Sequence, residues 1–156
     1  MKDLSKKLLG VIERAEPRLR EVSSFESGKP VISGGWSRRQ VIGHLIDSAS
    51  NNHQRFVRAA LQPSLDFPGY DQDRNVQVQA VQEADWSLLV SLWAFYNRYL
   101  AHVIAHLPAS KLGSACRVGS GEAVTLEFLA RDYVTHLVHH LAQIGAIDSK
   151  AVTTHA

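Results

Sequence analysis

Four of the eight histidines in this 156-residue chain fall into two pairs of one spacing, His102 with His106 and His136 with His140. A helix turns about 100° per residue, so imidazoles four apart lie on one face, one turn apart. Such a pair can chelate a divalent ion. A third histidine from another element would complete a facial site and leave coordination positions open, the arrangement of a catalytic rather than a closed structural centre.

Helical phase separates the two pairs. Around the second pair, Leu126, Leu129, Tyr133, Leu137, His140 and Ile144 recur at three- and four-residue steps, the pattern of an amphipathic helix. His140 lies near the centre of that stripe, His136 on its edge, and His139 well away from it. A buried imidazole needs partners for its ring nitrogens, and a metal supplies them. His102 lies far from the apolar stripe of its own segment and His106 at the flank. Both fall in the last turns, where imidazolium meets the helix dipole favourably, so that pair reads as surface and capping.

Four amphipathic segments position these residues. The first covers residues 3 to about 22, with Pro17 expected to kink or restart it. A loop follows by composition from Ser23 to Gly35. Ser37 and Gln40 then have capping-box spacing, with Trp36 and Val41 placed as a hydrophobic staple, and a second helix runs from Arg38 to about Leu61. The third runs from about Trp86 to Leu107 and stops at Pro108. The fourth begins after Thr125 and extends to about Ile147. No convincing strand pair is visible. Four such helices predict an all-α four-helix bundle. The connection from Pro63 to Asp85, with a short helix expected over Val76 to Val81, and that from Ala109 to Val124 are long, so simple up-and-down order does not follow. One domain over residues 1–148 is expected, with a frayed tail over 149–156.

The second helix carries His44, Asp47, Ser48, Asn51 and Arg55 as a polar stripe about 100° wide, apart from its apolar side. That stripe is either a solvated face or the wall of a polar pocket. His53 lies nearer the apolar side and by periodicity would be the more buried of the two histidines. Asp47 and Ser48, one turn beyond His44, can orient an imidazole that binds metal. Arg55 has the fork that grips a carboxylate bidentately, although a surface ion pair is the ordinary use of an arginine.

Trp36-Ser37, Val41 to Ser48, and Asn51 to Phe56 resemble the second helix of the DinB/YfiT-like superfamily. Tyr70-Asp71-Gln72-Asp73, Tyr96-Asn97-Arg98 and Tyr133 to Ile144 continue the likeness in order over most of the chain. The resemblance implies a bundle with crossed helix order and long crossover connections, usually dimeric. It also implies a divalent metal, nickel or zinc with iron or manganese as alternatives, held by one histidine of the second helix and the pair of the fourth. By motif these are His44, His136 and His140, which sets aside His53. The implied activities are metal-dependent hydrolysis of a small molecule or transfer of a low-molecular-weight thiol, with a non-catalytic metal-binding protein and a metal-free dimerisation bundle as the other readings. Asp47, Asn51, Arg55 and Tyr133 are the polar groups expected around the ion. Gln143 receives no firm role.

Other classes are set aside. A formal charge of +2 without a basic block gives no footprint for nucleic acid, and no apolar run reaches membrane-spanning length. The start lacks the apolar core of a signal peptide, and one cysteine, Cys116, forms no internal disulfide, which fits a cytoplasmic protein. Cys116 beside Arg117 reads as a bystander thiol. Leu137 stands where a zincin's HExxH needs glutamate, and Tyr133 and Leu137 break the ExxH pattern of di-iron bundles.

Overall fold

A computed structural model describes residues 1–32 and 35–148. The expected frayed tail lies outside the described residues. Among these, six α-helices occur: α1 (Lys2–Glu21), α2 (Ser24–Ser27), α3 (Arg38–Leu61), α4 (Gln72–Val78), α5 (Trp86–Ala105) and α6 (Leu126–Gln143). Three short strands are interleaved with them: β1 (Ser64–Phe67), β2 (Ala115–Val118) and β3 (Val124–Thr125).

The long helices α1, α3, α5 and α6 form the bundle. α1 packs on α5, α5 on α3, α3 on α6, and α6 on α1. The order around the bundle is therefore first, third, second, fourth. Consecutive long helices α1 and α3 are diagonal, which the long connections permit and a tight antiparallel hairpin would forbid. The core is built from one stripe of each helix: Leu8 and Ile12, Ile42 and Phe56, Trp93 and Leu100, Tyr133 and Leu137 are all fully buried or nearly so. Two polar contacts within it cross between helices. Ser5 Oγ donates to Ala101 O at 2.7 Å, and the Tyr133 hydroxyl donates to Asn97 Oδ1 between the diagonal helices α6 and α5.

The helix ends follow local chemistry. Ser37 Oγ accepts from Gln40 N while Gln40 Oε1 accepts from Ser37 N, closing the expected capping box at the start of α3. α1 runs unbroken through Pro17 rather than restarting there. Pro17 is exposed, so the carbonyl it frees faces water, while Ala15 and Leu19 on either side remain in the core. α6 stops short of Ile147 because Gly145 takes φ +74°, with Gly145 N donating to Ala142 O and Ala146 N to Leu141 O. This is a Schellman motif, whose left-handed residue glycine adopts without the steric cost of a Cβ.

The helical bundle is as expected, but it carries a small sheet where no strand pair was visible in the sequence. β1 pairs parallel with β2, and β2 antiparallel with β3, in the order β1-β2-β3. Each is only two to four residues long, too short for alternation to show in sequence. Cys116, expected in a loop, is buried in β2. The sheet ties the connection after α3 to the one before α6 and so covers the groove between those helices. Between β1 and α5, the short helix is α4 rather than a helix over Val76 to Val81, followed by a 3-10 turn over Val81–Glu83.

Candidate metal centre

α3 and α6 are neighbours, and their facing sides bring His44, His136 and His140 together. His136 Nε2 lies 3.2 Å from His44 Nε2 and 3.2 Å from His140 Nε2. One ligand atom from each residue falls within 4.8 Å of the other two. At a zinc–nitrogen distance of about 2.0–2.1 Å, two ligands of a tetrahedral ion stand about 3.3 Å apart, so the observed spacing is that of two ligand edges.

The donor chemistry points the same way. His140 Nδ1 lies 3.1 Å from Gln143 Oε1, which can only accept, so Nδ1 carries the proton and Nε2 presents its lone pair inward. A single proton on His136 Nε2 can serve only one of the two nitrogens facing it. A cation at the convergence satisfies all three Nε2 lone pairs together. The Nδ1 atoms of His44 and His136 are buried without a protein partner. Burial, reinforced by the neighbouring imidazoles, pushes His44 and His136 down to about 4 and lowers His140 despite the Gln143 hydrogen bond. All three are therefore neutral at pH 7, the form that ligates.

The histidines stand between two cavities. A polar one of ≈ 380 Å³ extends along α3 from His44 and His136 past Ser48 and Asn52 to Arg55, walled by Tyr70, Val118 and Tyr133. A smaller one of ≈ 170 Å³ lies on the other side of the centre, between Trp36, Val41, His140 and Ile144. Trp36, which lines this cavity with Val41, is also a neighbour of the centre, with its ring centroid 5.3 Å from that of His44. Gln72 borders both cavities.

The other expected pocket residues divide. Arg55 lines the polar cavity and is buried, not engaged in a surface ion pair. Tyr133 lines it too, but its hydroxyl is committed to Asn97. Asp47 does not orient His44: both its oxygens accept from Gln79 Nε2, at 2.9 and 3.0 Å. Asn51 is turned away as well, its amide donating to Asp47 O. Asn52 takes the place expected of Asn51, donating to Ser48 O at 2.9 Å and accepting from Arg55 Nη1 at 3.5 Å. From His44, Asn51 lies about 20° round the helix in one direction and Asn52 about 80° in the other. The stripe was legible; which flank met α6 was not. His53 is only half-buried beside Tyr96, whereas His44 is buried, the reverse of the order that periodicity gives. His102, His106 and His139 are exposed. The Tyr70–Asp73 loop resolves into a wall residue, Tyr70, and an N-cap, Asp71, whose Oδ1 accepts from Asp73 N and Arg74 N. Gln143, the last residue of α6, was findable from its i, i+3 step beyond His140.

Comparison with known proteins places the chain. The DinB superfamily pattern matches residues 7–144. The chain belongs to the DinB superfamily. Within it, the sequence is 26% identical over 154 residues to "Putative metal-dependent hydrolase YfiT" of Bacillus subtilis, covering 96% of this chain and 86% of that protein. It is 27% identical over 145 residues to a Bacillus licheniformis protein of the same description, covering 90% and 82%. The crystal structure of Bacillus subtilis YfiT, described as having an unusual four-helix bundle topology, superposes with a TM-score of 0.79 at 24% identity over 97% of this chain and 89% of that one. The mycothiol-dependent maleylpyruvate isomerase shares the fold with a TM-score of 0.72 at 16% identity, over 93% of this chain but 60% of that one. The crossed helix order and the DinB/YfiT-like bundle expected from sequence are thus the fold observed.

Proposed function

We infer that this DinB-superfamily chain is a divalent-metal enzyme acting on a small molecule, with His44, His136 and His140 as the ligands. The observation that carries the reading is the convergence of three Nε2 atoms beside a polar cavity, with 3.2 Å between neighbours. Three neutral imidazoles leave the ion its full charge and open positions, chemistry that lowers the pKa of a bound water or thiol into the neutral range. The chain's own groups do the rest. Gln143 fixes the tautomer of His140, and Trp36 packs beside His44 and limits water there. Asp132 lines the cavity four residues before His136, on the same face of α6, and is assigned the role of proton acceptor at its carboxylate. Hydrolysis, with water as the nucleophile, is the first reading and agrees with the description of the Bacillus subtilis relative. Transfer of a low-molecular-weight thiol to an electrophile is the second, favoured by the second cavity at His140, which gives a second molecule room. Imidazole ligands do not choose between nickel and zinc, or exclude iron and manganese.

The test is metal analysis of the purified protein, followed by ester, amide and thiol-consumption assays. One ion per chain is expected in the wild type and none in His136→Ala/His140→Ala, with Asp132→Asn keeping the ion and losing turnover. Equal sub-stoichiometric metal in wild type and double variant would overturn the site. Full metal without metal-dependent turnover of any substrate would leave a binding protein.

A further inference from the structure

Arg55 is the residue whose environment the metal centre does not explain. It is only 9% exposed, and no carboxylate lies within ion-pairing distance of it among the described residues. Its Nε is buried without any hydrogen-bond partner, and its one protein hydrogen bond is the long one to Asn52. Phe67 of β1 lies against the guanidinium, with the ring centroid 5.2 Å from Cζ. Burial lowers the Arg55 pKa, yet an arginine stays charged in a protein. A buried cation with unused donors is costly unless something supplies the missing anion. Here the guanidinium borders the same cavity as His44 and His136.

We propose that Arg55 is the anchor for a substrate carboxylate, held at the end of the polar cavity away from the histidines. A carboxylate fits better than a phosphate dianion. Arg55 is the only lysine or arginine among the lining residues, and Glu122 and Asp132 at the wall oppose a second negative charge. One guanidinium fork matches one carboxylate bidentately. His44 and Arg55 lie within about 20° of the same face of α3, and the Arg55 guanidinium reaches back to Asn52, eight residues or about 12 Å along the axis from His44. The substrate class is therefore a monocarboxylic acid whose reacting group lies several bonds from its carboxylate, rather than an α-amino acid or other short acid. This rests on the proposed metal function for the reacting end only.

The anchor is tested on metal-free protein, where a carboxylate cannot bind an ion. Hexanoate and hexanamide are titrated by NMR shift perturbation into wild type, Arg55→Gln and Arg55→Lys. Hexanoate is expected to bind wild type at least tenfold more tightly than hexanamide does, to lose at least tenfold in Arg55→Gln and to recover in part in Arg55→Lys. Equal binding of acid and amide by wild type, which needs no variant to fold, would overturn the anchor, as would no binding of either. In zinc-loaded protein, 6-mercaptohexanoate should bind more tightly than mercaptoacetate, and equal affinities would overturn the length requirement. Arg55→Gln is expected to keep wild-type zinc content. Loss of zinc binding by wild type with acid–amide discrimination intact would refute the metal function and leave the anchor standing.

Discussion

His44 and His136 carry the chemistry most exposed to pH. Each has a folded-state pKa near 4 against an ordinary value of 6.5, because burial and the adjoining imidazoles oppose a positive charge. Between those values the unfolded chain binds more protons than the folded one, so stability rises with pH across this window. The metal-free protein is expected to lose stability as pH falls from about 7 towards 4, at up to about 1.4 kcal/mol per pH unit for each histidine. Urea unfolding of metal-free wild type and His44→Ala/His136→Ala checks this: the double variant should show the shallower pH dependence. The residues themselves were legible in sequence to different degrees. Spacing offered His136 and His140, phase preferred them to His102 and His106, and resemblance alone supplied His44. Asn52 was missed because phase around α3 says which residues share a stripe, not which partner that stripe faces.

At the scale of elements, α3 owes its position to a missing side chain. A Cβ on Gly43 would stand 2.4 Å from Val81 Cγ1, 2.9 Å from Cγ2 and 3.1 Å from Cβ. Those atoms belong to a branched side chain on the 3-10 turn, with no flexible end that can swing away. Gly43 therefore lets residues 81–83 pack directly on the helix beside His44. Alanine in place of glycine inside a helix gains about 1 kcal/mol in propensity. Overpacking costs about 1–3 kcal/mol, and contact this close belongs to the upper part of that range. Gly43→Ala is expected to destabilise the protein by a net 1–2 kcal/mol and to weaken zinc binding through its neighbour His44. Thermal unfolding of the metal-free variant and a competitive zinc titration measure the two effects. The helices were legible because each carries a long apolar stripe, and the capping box marked the start of α3 to the residue. The strands were not, since pairing between β1 and β2 joins Leu65 to Cys116 across fifty residues and leaves no local periodicity.

For the whole molecule, the outer face of α5 carries an uncovered apolar surface. Leu88, Leu92, Phe95 and Tyr99 are 61%, 47%, 68% and 53% exposed, although the bundle has already buried Leu89, Trp93 and Leu100 on the opposite side. Their steps of four, three and four residues form a single seam, the spacing with which one helix packs against another. Val57 and Leu61 of α3 are exposed too and border the same shallow surface as Tyr99 and Val103, so the apolar area continues across two helices. This surface mixes aliphatic and aromatic groups, while Trp86 and Trp93 are core. A two-fold pairing of α5 with its copy would cover the seam with itself, since the same patch serves both partners. Light scattering coupled to size exclusion should give twice the 17.3 kDa chain mass for wild type. Leu92→Glu/Phe95→Glu should give the monomer mass with unchanged helical circular dichroism and unchanged zinc content, because the seam lies on a helix that contributes no ligand to the centre. A wild type that stays monomeric at high concentration would remove this interface, and a variant that remains dimeric would place it elsewhere.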